Sequence, residues 1–138
     1  MCGISGIYNF SNRNLDSKKI INKIIKLQTS RGPDGNGIWV SSCKKVTFGH
    51  NRLSIIDLSK KADQPFISND KNLIITFNGE IYNYLELKEQ LQKKKVKFKS
   101  NSDTEVILES YKIWGLDFLK KLRGMYSFAI WDNKNNKL

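Results

Sequence analysis

Proline, cysteine and histidine are scarce in this 138-residue chain, with two Pro, two Cys and one His. Cysteines at position 2 and in the polar stretch around Cys43 give neither a disulfide framework nor a metal-ligand spacing. No apolar run approaches the roughly 20 residues of a membrane-spanning helix. The N-terminus has no charged segment followed by an apolar one, so no secretory leader is expected. A reducing, cytoplasmic setting is the expectation. Arginine is scarce too: Arg13, Arg31, Arg52 and Arg123 stand against a total of 24 basic residues, the rest Lys. Nucleic-acid readers rely on Arg forks and aromatic platforms. Here the lysines are scattered, apart from Lys93, Lys94, Lys95, Lys97 and Lys99. The net charge of +11 therefore reads as solvated surface that adheres to polyanions without specificity. Neither nucleic acid nor membrane is expected as a partner.

What is present fits one soluble domain, with 39% hydrophobic and 27% charged residues. The apolar run Gly3–Phe10, with two glycines, predicts a strand buried on both faces. Asn9–Asn14 is turn chemistry. Asp16 or Ser17 caps a helix with Ile20, Ile21, Ile24 and Ile25 in one stripe opposite Lys18, Lys19, Lys23 and Lys26. Ser30–Gly37, rich in Gly and Pro, predicts an irregular, tightly turned loop. Ile38–Ser42 and Val46–Arg52 read as a hairpin. Leu73–Phe77 is a strand that Asn78-Gly79 breaks as a tight turn, with Glu80–Tyr82 returning. Asn83 and Glu86 resemble a capping box opening a helix with Leu85, Leu87 and Leu91. Lys97–Lys99 is a short strand. Ser102 or Asp103 caps a helix ended by Gly115, Leu116–Leu122 is a third helix, and Met125–Trp131 is a strand. This order of hairpins and helices predicts the α+β class with antiparallel sheets. The chain stops where a partner for Ser127–Asp132 would begin, which would leave Phe128, Ile130 and Trp131 in an unpaired edge.

The chemistry centres on Met1-Cys2-Gly3. With Met1 removed, Cys2 carries a thiol and a free α-amine on one carbon. Reference pKa values of about 8.5 and roughly 7.7–8.0 let that amine take the thiol proton near neutral pH. The alternative is an ordinary buried strand cysteine. A Cys nucleophile acting on an acyl group needs an oxyanion hole, and the Asn78 amide with the Gly79 N–H could converge on one oxygen. The alternative there is a plain hairpin turn.

Five motifs fall in one order: Met1-Cys2-Gly3-Ile4-Ser5-Gly6, Arg31-Gly32-Pro33-Asp34-Gly35, His50 to Asp57, Phe77 to Asn83, and Ser102-Asp103-Thr104-Glu105. Together they resemble the N-terminal glutaminase domain of glutamine-hydrolysing asparagine synthetases, a class II amidotransferase of the N-terminal-nucleophile type. The resemblance runs over essentially the whole chain. It implies a layered α/β/β/α fold and attack by Cys2 on the glutamine side-chain carbonyl, with Asn78 and Gly79 holding the oxyanion. It also implies Arg52 on the substrate carboxylate, Asp103 on its ammonium, and Glu80 with backbone groups of Leu53, Ser54, Ile55 and Ile56 completing the pocket. Arg31 and Asp34 flank that pocket with no catalytic role, and His50 is structural. No metal or cofactor is implied in this domain; ATP and Mg are expected only in a synthetase domain that normally follows in the same chain. That longer protein admits a homodimer. Phe77 stands where the sugar-phosphate and purine-pathway branches carry His, and Ser30 replaces the usual His before the Arg31 loop. By resemblance residues 1–138 are an amidotransferase domain short of its C-terminal strands. The alternatives are a truncated non-catalytic module, or a glutaminase feeding an acceptor other than aspartate.

Overall fold

A computed structural model describes residues 1–11 and 14–138; Asn12 and Arg13, inside the expected Asn9–Asn14 turn, lie outside the described residues. The regular elements are β1 (Gly3–Tyr8), α1 (Ser17–Leu27), β2 (Gly35–Val40), β3 (Val46–Arg52), β4 (Phe66–Ile67), β5 (Leu73–Ile81), α2 (Tyr84–Lys93), α3 (Asp103–Trp114) and β6 (Gly124–Asp132). Among the described residues the strands form two three-stranded antiparallel sheets, ordered β1-β3-β2 and β4-β5-β6.

Strand alternation assigns every layer. On β3, Thr47, Gly49 and Asn51 face α1. Ser17 Oγ meets Thr47 Oγ1 at 2.7 Å, and Asn51 Nδ2 donates to Ile25 O at 3.1 Å. A Cβ on Gly49 would lie 2.5 Å from Ile21, so glycine sets how closely the helix packs. Val46, Phe48 and His50 point the other way, towards Ile74 and Thr76 of β5, and with Trp131 they fill the space between the sheets. The opposite face of β5 carries Leu73, Ile75, Phe77 and Ile81 into the main core with Leu87, Leu91, Val106, Ile107 and Leu108 of α2 and α3. The result is the expected α/β/β/α stack. In α1, Asp16 Oδ1 accepts from Lys19 N at 3.0 Å. Its stripe is narrower than expected: Ile21 and Ile25 are buried while Ile20 is exposed.

Several sequence expectations are corrected. β1 is an edge strand, not one buried on both faces; it ends at Tyr8 and leaves Phe10 80% exposed. β2 starts at Gly35, inside the stretch expected to be irregular. Its glycines serve close approach instead: a Cβ on Gly37 would lie 2.2 Å from Gln64 O. Asn78-Gly79 is no turn. β5 runs through it, paired with β6 from Leu73↔Asp132 to Ile81↔Gly124. Gly79 has φ +151, and a Cβ there would fall 2.2 Å from Met125 O, so this glycine answers to strand contact. Asn83 precedes α2 without capping it. Its Nδ2 donates to Lys121 O at 2.9 Å and its Oδ1 accepts from Arg123 N at 3.0 Å, tying α2 to the entry of β6. Leu85 is exposed. Lys97–Lys99 is not a strand, and Gly115–Lys121 is 3-10 rather than α-helical. β6 is the edge strand the sequence leads one to expect, paired with β5 on one side, but its apolar residues are covered: Phe128 and Ile130 lie against the main core and Trp131 is 1% exposed between the sheets. The exposed apolar side chains of β6 are Met125 and Tyr126.

Candidate active site

At one end of the inter-sheet space, Cys2, just ahead of β1, and Arg52 at the end of β3 come opposite Asn78 and Gly79 of the second sheet. A cavity of about 140 Å³ opens there. Cys2, Arg52, Leu53, Ser54, Ile55, Ile56, Asn78, Gly79, Glu80 and Asp103 all line it, so the structure brings together every residue expected of the site.

Position 2 is held from two sides. Cys2 Sγ accepts from Leu53 N at 3.3 Å and lies 3.6 Å from Leu53 O. Arg31 Nε donates to Cys2 O at 3.3 Å, and Asp34 Oδ2 accepts from Ser54 N at 2.7 Å. The Arg31–Asp34 loop thus fixes both the start of β1 and the segment after β3. Gly32 makes this possible, since a Cβ there would lie 2.3 Å from Asn51 O. Cys2 N is here in peptide linkage to Met1, which is 65% exposed. A free α-amine at Cys2 requires removal of that residue.

The backbone of β5 supplies an open donor. Tyr82 N donates to Arg123 O at 2.7 Å. Even-numbered residues of β5 therefore pair by hydrogen bonds with β6, and odd-numbered ones turn their N–H groups away. Of those, Phe77 N donates to Gln64 Oε1 at 2.7 Å and Ile81 N to Asp103 Oδ2 at 3.1 Å. Gly79 N–H lies between them, and no acceptor among the described residues meets it. The neighbouring Asn78 amide, half-buried, borders the same cavity.

Arg52 is more heavily engaged than a free carboxylate clamp. Its Nη1 donates to Ser59 O at 3.0 Å and Asp63 Oδ1 at 2.7 Å, and its Nη2 donates to Asp57 O. Nε and one Nη2 hydrogen remain, while the guanidinium also closes the loop after β3. Asp57 continues that tie, accepting from Asn101 N and from Ser59 N, both at 2.8 Å. Burial pushes its carboxyl up, but these donors prevail and hold it below the usual range.

Asp103 opens α3 after Ser102, whose Oγ accepts from Glu105 N at 3.3 Å. Only 5% exposed, its carboxyl is pushed up to about 6 by burial. Glu80 is exposed at the cavity. His50 is fully buried between the sheets, and burial together with Arg52 lowers it to about 4. Its Nδ1 lies 3.3 Å from Thr76 Oγ1, which places it in the inter-sheet packing.

Gln64, Thr104 and Asp57 also line the cavity and had no assigned role from sequence. Gln64-Pro65 lies in the polar segment between β3 and β4, and a polar residue beside proline carries no sequence signal for a cavity wall. Among the described residues, no three His, Cys, Asp or Glu converge to hold a metal ion. Nor is any helix long and apolar enough to cross a membrane.

Two antiparallel sheets between helical layers, with residue 2 at the open end of the inter-sheet space, define the N-terminal-nucleophile hydrolase class. The chain belongs to the glutamine amidotransferase domain family, whose model matches residues 1–138. It is 41% identical over 99% of its length to asparagine synthetase [glutamine-hydrolyzing] 1 of Bacillus subtilis, of which it spans 21%. It is 38% identical over its full length to amidase chry2 of Gibberella zeae, of which it spans 22%. Glutamine phosphoribosylpyrophosphate amidotransferase from B. subtilis superposes with a TM-score of 0.70 at 25% identity, over 96% of this chain and 35% of that one. The chain thus spans about a fifth of the length of these curated relatives.

Proposed function

We propose that this domain hydrolyses glutamine to glutamate and ammonia. The observation that carries the reading is Cys2 Sγ in one cavity with an unpaired backbone N–H at Gly79, the Asn78 amide, a cationic Arg52 and an anionic Asp103. Once Met1 is removed, the Cys2 α-amine takes the thiol proton and Sγ attacks the glutamine side-chain carbonyl carbon. The oxyanion is held by Asn78 and Gly79. Collapse breaks the C–N bond, the leaving nitrogen takes the proton from the ammonium, and a glutamyl thioester remains. Water, deprotonated by the same amine, hydrolyses it and restores the thiol. Arg52 engages the α-carboxylate with its remaining donors, Asp103 the α-ammonium, and Glu80 with the Leu53–Ile56 backbone completes the wall.

In this reading the half-reaction needs no cofactor, and the cytoplasm keeps Cys2 reduced. The similarity to a B. subtilis asparagine synthetase supports ammonia delivery to an ATP- and Mg-dependent synthetase domain that amidates aspartate, in a longer chain that can dimerise. The similarity to amidase chry2 supports a second reading, with an acceptor other than aspartate.

The test is glutamate release from glutamine by protein shown by intact mass to have lost Met1. Release above the uncatalysed rate is expected, falling at least a thousandfold, on the order expected for loss of a catalytic nucleophile, in Cys2→Ala. Equal release by Cys2→Ala and the parent would sink the proposal.

A further inference from the structure

One cavity residue is used in a way that neither its sequence context nor the reaction assigns. β4 pairs with β5 as Phe66↔Ile75 and Ile67↔Ile74. Continued by the same register, Gln64 falls opposite Phe77. At that position the main chain no longer pairs, and the Gln64 side chain takes its place. Its Oε1 accepts from Phe77 N at 2.7 Å and its Nε2 donates to Phe77 O at 3.2 Å. A primary amide thus reproduces both ladder hydrogen bonds that a peptide would have made. Nε2 also donates to Thr104 Oγ1 at 3.3 Å, beside Asp103 at the start of α3.

Phe77 is the residue before Asn78. On the open edge of β5, the successive outward N–H groups go to Gln64, to the cavity, and to Asp103. Without Gln64 the pairing on the β4 side of β5 would end at Ile75, and Asn78-Gly79 would be held from the β6 side alone. The Gln64 backbone is itself seated against β2: Gly37 leaves the space, since a Cβ there would lie 2.2 Å from Gln64 O and 3.1 Å from Pro65 Cδ.

We propose that Gln64 is a positioning residue for the oxyanion hole. It acts as a one-residue strand that keeps the Gly79 N–H and the Asn78 amide aimed into the cavity, and it locks them to the ammonium-binding start of α3. This inference rests on the glutaminase reading above. A displacement of reacting groups by about 1 Å can cost about a hundredfold in rate, so a residue touching no reacting atom can matter on that scale.

The experiment compares Gln64→Leu and Gln64→Glu with the parent in protein lacking Met1. Gln64→Leu is expected to lower kcat for glutamine by about ten- to a hundredfold, with KM within about twofold because Arg52 and Asp103 remain. Alkylation of Cys2 by iodoacetamide, which builds no oxyanion, is expected at the parental rate. Gln64→Glu still accepts from Phe77 N but donates to Phe77 O only when protonated. Its kcat relative to the parent is therefore expected to recover as pH falls. A folded Gln64→Leu with parental kcat overturns the proposal. So does a parallel loss of kcat and alkylation, or a Gln64→Glu ratio that ignores pH. Backbone resonances separate this from failure of the glutaminase reading. If the parent releases no glutamate, Asn78 and Gly79 signals that shift and broaden in either variant still support the brace, and unchanged signals overturn it.

Discussion

In the proposed glutaminase, Asp103 serves binding against the interest of the fold. Its pKa is raised to about 6 by burial. A carboxyl raised in the folded state contributes stability that is complete below its unfolded value near 3.8 and is lost as pH rises through about 6. The ionised group at pH 8 is therefore a liability until a substrate ammonium meets it. Asp103→Asn keeps an oxygen for Ile81 N and removes the buried charge. It is expected to raise stability at pH 8 by about 2 kcal/mol, read as a higher melting midpoint, while glutamine turnover is lost. In the parent, KM for glutamine should rise about tenfold per pH unit below 6 as the carboxylate is protonated. His50, lowered to about 4, acts in the opposite sense: its contribution is complete above its ordinary value and fades as pH falls. Only the difference between variant and parent therefore isolates Asp103.

At the scale of elements, legibility followed physical range. Helix ends are local features: of the candidate caps Asp16 or Ser17 and Ser102 or Asp103 the structure uses Asp16 and Ser102, and α3 stops at Gly115, which is its C-cap rather than the residue after it. Motif order brought Cys2, Arg52, Asn78 and Asp103 to one reading because a family pattern carries long-range information that periodicity lacks. What could not be read were close approaches. Asn78-Gly79 has ideal turn chemistry, yet β5 continues through it because β6 supplies a partner along its full length. The glycines of β2 resemble loop for the same reason: a missing side chain signals a turn or a tight contact, and the contact partner lies elsewhere in the chain. Gln64 was invisible because side-chain mimicry of a strand leaves no periodic trace. Gly79→Ala tests the contact reading. With Met125 O 2.2 Å from the new Cβ and φ at +151, β5 and β6 must separate. A loss of about 2–4 kcal/mol is expected, measured by denaturant unfolding, and a change under about 0.5 kcal/mol would show that the strands have room.

For the whole molecule, charge is the dominant surface property. Against a net charge of +11, three ion pairs are found among the described residues, and two of them, Lys112–Asp70 and Lys120–Asp117, are solvent-exposed. Exposed pairs contribute little, while the uncompensated lysines repel one another. Added salt screens that repulsion over about 10 Å at 0.1 M. The melting midpoint is expected to climb by about 2–5 °C between low and physiological ionic strength. A flat or falling midpoint would place the lysines too far apart to interact.

In the proposed glutaminase, the unbroken course of β5 determines where catalytic polarity is stored. Donors on a mobile loop would swing towards a developing negative charge much as water does, and the swing would cost energy during each turnover. Here the two dipoles proposed to face the oxyanion belong to a strand flanked by a ladder on one side and by Gln64 and Asp103 on the other. Their orientation is frozen when the sheets assemble. The cavity thus resembles a medium polarised in advance, and the reorganisation that solvent would undergo during reaction is completed once, during folding.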